Sequence, residues 1–339
     1  MAPPLRHRSR TPRQTGLTLI ELLVALALSL LVALAAATAL VVARGGFAAV
    51  DAASQLRDNG RFASDLIQRL AVQTGYKDLP YATTPAGPAT AALSTDPDPN
   101  ITGFNNALLS ATDPLNKATA RSASVVGYGS DILILRYQAG ETFPGSGVSD
   151  KTMIDCAGFP ANSTPADRYD RMVSILHVGV GIDGEPSLMC MYLPSSGKFK
   201  THPIIQGVEN FQVLYGTDGV TPNTAPPADP AAGADSVPER YLRADQMTVA
   251  GDAEATNRNW RRVRSLRIGM VLRGPPNSAQ DKSAQTLYPL GLAKASTTGA
   301  SGSALSSTSD AGTVFKPPAD GRLRQVVTFT VHLRNDQGL

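Results

Sequence analysis

The polarity pattern of the chain divides it sharply near its start. Residues 17–43, LTLIELLVALALSLLVALAAATALVVA, form an unbroken apolar run with neither Gly nor Pro, in which Glu21 is the only ionisable side chain. As a helix this run rises roughly 40 Å at ~1.5 Å per residue, enough to cross a hydrocarbon core of ~30 Å with tilt. An ordinary secretory signal has an apolar core of roughly 7–15 residues followed by a small residue at its cleavage site. Here the small residue, Gly16, lies before the run. Beyond Ala43 the pattern turns amphipathic. Phe47, Val50, Ala53, Leu56, Ala63, Leu66, Ile67 and Leu70 recur at spacings near three and four, with Asp51, Arg57, Asp58, Arg61, Asp65 and Arg69 largely between them. This predicts that the helix continues over 44–76 with one face in a core. The heptads are too irregular for a coiled coil. Gly45, Gly46 and Gly60 predict a bend or a looser turn, and Gly75 predicts the stop.

From residue 77 onward the pattern shortens to strands. Residues 131–137, 172–178, 188–193, 204–215, 260–272 and 323–333 are rich in Val, Ile, Leu, Tyr or Phe, and alternation is clearest in LRQVVTFTVHL. Between them lie Pro, Ala, Ser, Thr and Gly tracts at 77–124, 217–237 and 293–320, which predict long loops. One long helix followed by strands, without βα alternation, predicts an α+β fold: a mostly antiparallel β-sheet head packed on the N-terminal helix. No internal repeat is evident.

Charge fixes the orientation. The 339-residue chain is 42% hydrophobic and 17% charged, and holds 31 Lys plus Arg against 28 Asp plus Glu. Residues 1–16 carry Arg6, Arg8, Arg10 and Arg13 and no acid, so the remainder, 27 basic against 28 acidic residues, has a formal net charge of −1. The basicity belongs to a leader, and by the positive-inside rule the N-terminus faces the cytoplasm. The expected organisation is a basic leader at 1–16, a transmembrane helix at 17–43, its amphipathic continuation at 44–76 and an extracytoplasmic β-rich head at 77–339.

The string GLTLIELLVAL resembles the class III signal of type IV prepilins and type II secretion pseudopilins: Gly, an apolar residue, then a short apolar stretch leading to Glu. DNGRFASDLIQRLAVQTGY resembles the tract that PilW-type minor pilins carry after their membrane segment, and GVENFQVLYGTDG, NWRRVRSLRIGMVLRG and RLRQVVTFTVHLRN resemble strand segments of PilW-like heads. Leu17 stands where Phe or Met is commoner, and LAVQTGY lacks the acidic and basic pair often found there. The resemblance implies cleavage by prepilin peptidase between Gly16 and Leu17 and N-methylation of Leu17. Glu21 would then sit in the membrane near the new amine, where an isolated carboxylate costs about 2.5–3.5 kcal/mol on insertion scales. In related pilins the N-terminal amine of a neighbouring subunit compensates that charge. The implied function is that of a minor pilin priming or supporting type IV pilus assembly by helix-mediated polymerisation. Its implied partners are other minor pilins, the major pilin and the inner-membrane assembly platform. The chain would be single-pass in the bacterial inner membrane with a periplasmic head, later incorporated into the pilus. A minor pseudopilin of type II secretion and a DNA-binding pilin are the alternatives. Many PilW-like chains continue their Tyr-Gly segment into an acidic turn suited to calcium; here TDGVTPNT leaves Asp218 alone, and no metal is expected.

The remaining chemistry is sparse. Cys156 and Cys190, the only cysteines, lie in the extracytoplasmic part, where an even pair is expected to form a disulfide in preference to remaining free. GVGIDG at 179–184 matches GxGxxG, but a strand-like segment follows instead of the helix a dinucleotide phosphate needs, so a hairpin at Asp183 and Gly184 is expected. His7, His177, His202 and His332 are widely spaced, with no HExxH and no GxSxG. No cofactor and no catalysis are expected. Arg261, Arg262, Arg264, Arg267 and Arg273, with Arg322 and Arg324, offer a basic patch for DNA. A solvated strand face is the preferred reading, and nucleic acid is not expected as a partner.

Overall fold

In the computed structural model, which describes residues 16–82, 97–227, 235–279, 281–291 and 310–335, the apolar run and the amphipathic stretch form one helix, α1 (Leu19–Gln73), of 55 residues. The chain divides into two units, Met1–Val50 and Asp51–Leu339. In the first, every described side chain from Gly16 to Arg44 is exposed, and the most apolar 18-residue window of α1 reaches a mean hydropathy of 2.7. A helix so apolar and so bare of protein contacts requires lipid or a neighbouring chain.

In the second unit α1 buries Ala52, Leu56, Gly60, Ala63, Ile67, Leu70 and Ala71, one stripe at three- and four-residue spacing. Contrary to the expectation of a looser turn, the helix runs through Gly45, Gly46 and Gly60. Gly60 has a packing reason: a Cβ there would stand 2.8 Å from Val327 Cγ2, so its absence lets α1 close on the sheet. Gly75, at φ 77°, ends the helix as expected, its N–H bonding to Arg136 O at 3.0 Å.

The one-turn α2 (Leu79–Ala82) leads to β1 (Ile101–Phe104), β2 (Ala107–Leu109), β3 (Ala118–Ala120), β4 (Ile132–Tyr137), β5 (Met172–Val180), β6 (Pro186–Tyr192), β7 (Lys200–Gln206), β8 (Val208–Thr217) and β9 (Arg240–Leu242). A 3₁₀ turn (Ala244–Met247) and α3 (Ala253–Arg261) precede β10 (Val263–Arg273) and β11 (Arg324–His332). All pairings are antiparallel, but the strands make two main sheets, β1-β4-β5-β6-β7 and β11-β10-β8-β9, plus the ribbon β2-β3. The architecture is the expected α+β one with the single sheet divided.

The division occurs at Gly207. The run expected as one strand over 204–215 breaks there because Gly207 takes φ 85° and its Cβ would lie 2.5 Å from Arg273 O. β7 therefore stays with β6 while β8 crosses to β10. β4 is buried along its whole length: Leu133 and Leu135 join the core under α1, while Ile132 and Ile134 join a second cluster with Ala107, Val173 and Ile175.

Two further expectations are corrected. The tract 77–124 is no continuous loop, since β1, β2 and β3 lie within it, although residues 83–96 fall outside the described part. Trp260, expected to open a strand, belongs to α3, which Asp252 caps by accepting from Ala255 N at 2.8 Å. Most of the loop expected at 293–320, and residues 228–234 of that at 217–237, lie outside the described residues.

Candidate functional site

Three places hold residues singled out for chemistry. At the start of α1, Gly16 and Leu17 lie in non-helical chain, with Leu17 77% exposed. Thr18 and Glu21 form a reciprocal cap: Thr18 N and Thr18 Oγ1 each donate to Glu21 Oε2 at 2.9 Å, and Glu21 N donates to Thr18 Oγ1 at 3.4 Å. Glu21 therefore turns back toward Thr18, the second residue after Gly16. The Thr-x-x-Glu spacing of residues 18–21 is the sequence signal for this cap.

The second place is the Cys156–Cys190 disulfide, which ties the excursion between β4 and β5 to β6. Both cysteines are buried. The tied segment also holds the end of α1: Gln73 Nε2 donates to Ile154 O at 2.5 Å, and Tyr137 Oη donates to the same carbonyl at 2.6 Å.

The third is the arginine cluster, whose charges meet acids. Arg273 donates through Nη2 to Glu185 at 2.7 Å and through Nη1 to Glu209 at 3.0 Å; Arg324 donates through Nε to Glu209 at 2.7 Å and through Nη2 to Asp320 at 2.8 Å. Arg322 pairs with Glu185 at 3.1 Å and with Asp320 at 3.7 Å. Three arginines and three carboxylates thus form one closed node joining the β5–β6 turn, the start of β8, the end of β10 and the entry to β11. Burial raises the carboxyl of Glu185, but its arginine partners outweigh that and hold it below the usual range. Arg264 approaches Asp218 at 3.5 Å, and Arg261 approaches Glu254 at 3.6 Å. Arg267 donates to Leu290 O. Alternation along β10 does not collect these cations on one open face.

Asp218 is not alone, as the sequence had suggested. The chain returns at 235–239 and places Asp235 and Glu239 beside it, with one oxygen from each residue within 4.8 Å of the others. Asp218 is nevertheless committed, accepting from Ser236 N at 2.8 Å and Asp235 N at 3.3 Å and facing Arg264. Elsewhere Asp131, fully buried, accepts from Asn106 N and Val213 N at 2.9 and 2.8 Å, and burial raises its carboxyl. Burial also pushes Arg121 down to about 10 and His177 down to about 4. His177 lies on β5, His202 on β7 against Tyr192 at 3.2 Å, and His332 on β11, in two sheets and apart. GVGIDG is the β5–β6 turn, closed by Gly181 N to Glu185 O at 2.8 Å with Gly184 at φ 79°, and it opens no helix.

A long apolar helix opened by Gly16, Leu17 and Glu21, continuing into the core of a disulfide-tied antiparallel head, is the build of a type IV pilin-like protein. The family described as Type IV Pilus-assembly protein W matches residues 175–335, and the Prokaryotic N-terminal methylation motif matches residues 11–37. Together the two matches support a type IV pilin-like protein of the PilW type. A solved type IV-like pilin from Thermus thermophilus is similar at 12% identity over 84% of this chain and 98% of its own, with a TM-score of 0.39, too loose a likeness to carry an argument. No curated protein matches the chain.

Proposed function

We propose that the chain is a minor pilin that primes or supports type IV pilus assembly, held in the inner membrane by α1 until it enters the fibre. The observation that carries this reading is the conjunction at the helix start: a non-helical, exposed Gly16–Leu17 bond followed by a carboxylate turned back toward Thr18. Prepilin peptidase would cut that bond on the cytoplasmic side and leave the apolar helix attached, with Leu17 as the methylated first residue. Oε2 of Glu21 is occupied by Thr18, and Oε1 accepts no hydrogen bond among the described residues, which leaves it for the Leu17 amine of a neighbouring subunit. Pairing the two charges removes the cost of carrying either alone in lipid, so incorporation into the stack is favoured over remaining single.

The head supports the same reading. Arg264, Arg273, Arg322 and Arg324 pair with internal acids and Arg267 with a carbonyl, which supports reading the head as a shaped surface for other pilins. The match to a pilus-assembly family favours the pilus over the type II secretion alternative.

The test is intact-mass and N-terminal analysis of the protein from host membranes with and without prepilin peptidase. A peptidase-dependent chain beginning at methylated Leu17 is expected; an uncut chain, or one cut beyond the apolar run, overturns the proposal. Glu21→Ala is expected to leave cleavage intact and to remove the protein from sheared fibres. Deletion is expected to abolish surface pili and twitching. Loss of exoprotein secretion with pili intact assigns the chain to the secretion machine instead.

A further inference from the structure

A sheet presents a row of unpaired backbone groups at each edge, and the two main sheets of the head protect three of their four edges. β1 and β9 are only four and three residues long, and β7 carries Lys200 and Pro203 and pairs with β6 through a register shift at Leu188 and Met189. β11 is the exception. Its nine residues pair with β10 in one unbroken register, and from Gln325 to His332 it holds no proline, lysine, arginine or acid. Leu333 N donates to Arg264 O at 2.9 Å and Gly274 N to Leu323 O at 2.8 Å, which fixes the alternation: the odd-numbered residues bond to β10. Val326, Thr328, Thr330 and His332 therefore turn their N–H and C=O groups outward, and these groups make no hydrogen bond among the described residues. The segment 287–290 crosses the face of the sheet, where Thr328 Oγ1 donates to Pro289 O at 2.6 Å and Pro289 abuts Gly269 on β10, so it leaves the edge open. The core row is open there as well: Val327 and Phe329 are partly buried, while Met270 and Ile268 opposite them on β10 are fully enclosed.

We infer that β11 receives an extended segment from the head of another pilin, added as a fifth strand to the β11-β10-β8-β9 sheet. The occupant follows from the edge itself. A row of outward donors and acceptors at every second residue is matched by the main chain of a strand, and the half-open Val327 and Phe329 call for apolar side chains on the row of that strand facing α1. There is room for it. α1 lies over Val327 through Gly60, a helix is about 10–12 Å across and strands stand about 4.8 Å apart, so one further strand fits beneath the outer flank of α1. The opposite flank, with Gln55 and Asn59, lines a depression beside Glu185 and Gln206. At about 100° per residue the flank above the open edge carries Arg57 and Ser64. Arg57 is exposed and has no ion pair among the described residues, so the added strand is expected to bring an acid to it. The inference deepens the pilin reading and rests on it, since that reading supplies other pilins as neighbours.

The experiment is done on the full chain in its host, with the photo-reactive residue benzoylphenylalanine in place of Thr328 or Thr330 and the cross-linked peptides identified by mass spectrometry. Both positions are expected to reach one contiguous, alternating segment in the head of another pilin. Cross-links confined to this chain's own residues, to a second copy of it or to a partner's helix, or no cross-link at all, overturn the inference. Two substitutions separate main chain from side chain. Thr330→Pro removes an outward N–H and leaves the ladder to β10 whole, and it should lower recovery of the protein in sheared fibres at least tenfold. Thr330→Ala keeps the main chain and should assemble as the wild type does. Normal assembly of the proline variant, or an equal loss with alanine, counts against strand addition. Thermal melting of Thr330→Pro in detergent should match the wild type; should the proline unfold the head, the cross-links alone decide. A methylated Leu17 with neither cross-link nor proline effect sinks this edge alone, whereas an uncut leader sinks the pilin reading beneath it.

Discussion

Replacing Arg324 by Met tests whether the six-member charge node holds the head together. The Arg324 side chain is 1% exposed and that of Glu209 8%, so removing the guanidinium leaves Glu209 with Arg273 alone and Asp320 with the more distant Arg322. Breaking a fully buried pair by deleting one partner costs about 3–5 kcal/mol. Asp320 and Glu185 lie at the rim, 26% and 25% exposed, and water compensates part of the loss, which lowers the expectation to about 2–3 kcal/mol. At about 2–4 °C per kcal/mol for a domain of this size, the melting temperature falls by about 5–10 °C. The assay is thermal and denaturant unfolding of the full chain in detergent, followed by near-ultraviolet circular dichroism. pH supplies a second reading. Glu185 and Asp320 both titrate below their usual range because their arginine partners outweigh burial. Their contribution is therefore complete above the unfolded values near 4 and is lost as pH falls through the folded ones. Arg324→Met should flatten the part of that acid-side slope that Asp320 supplies. A cost below about 0.5 kcal/mol with an unchanged slope refutes the argument that the node is structural, and reopens the arginines as a binding patch.

Two other substitutions probe separate joints. Cys156→Ala with Cys190→Ala, or reduction of the native chain, should cost about 3–4 kcal/mol from the freed 34-residue loop, measured by denaturant midpoint; an unchanged midpoint would show that the β4–β5 excursion is held without it. Gly60→Ala should destabilise the head by about 1–2 kcal/mol despite the better helix propensity of Ala, since the new methyl meets Val327 Cγ2. Adding Val327→Ala should recover part of that loss, and no recovery would locate the fault elsewhere.

The legible parts of this molecule were those set by local pattern. The apolar run, its amphipathic extension and the stop at Gly75 follow from periodicity and one glycine, and β4, β5, β6, β10 and β11 follow from dense runs of apolar residues. β1, β2 and β3 were hidden because they are three or four residues each, rich in Ala, Thr and Gly, and exist through pairing with a distant strand or with each other. The switch of sheets at Gly207 depends on the approach of Arg273 O, 66 residues away, which no local signal encodes. α3 was overwritten by its own Trp260, an aromatic that reads as strand until its edge contact with Tyr215, ring centroids 4.7 Å apart, shows it packing from a helix. At the helix start the sequence displays the spacing of Gly16, Leu17 and Glu21, while the cap from Thr18 needed the geometry. The partners of Asp218 come from the returning chain at 235–239 and were beyond any short motif.

The two half-cystines are the whole thiol inventory of the protein, and both are under the surface in one bond. The head therefore has nothing to exchange. In the pilin role proposed above, the subunit would meet oxidants and foreign sulfhydryls outside the cell, where a spare cysteine would couple to whatever it touched. With its one bond closed, the head keeps no free thiol with which to couple to a neighbour.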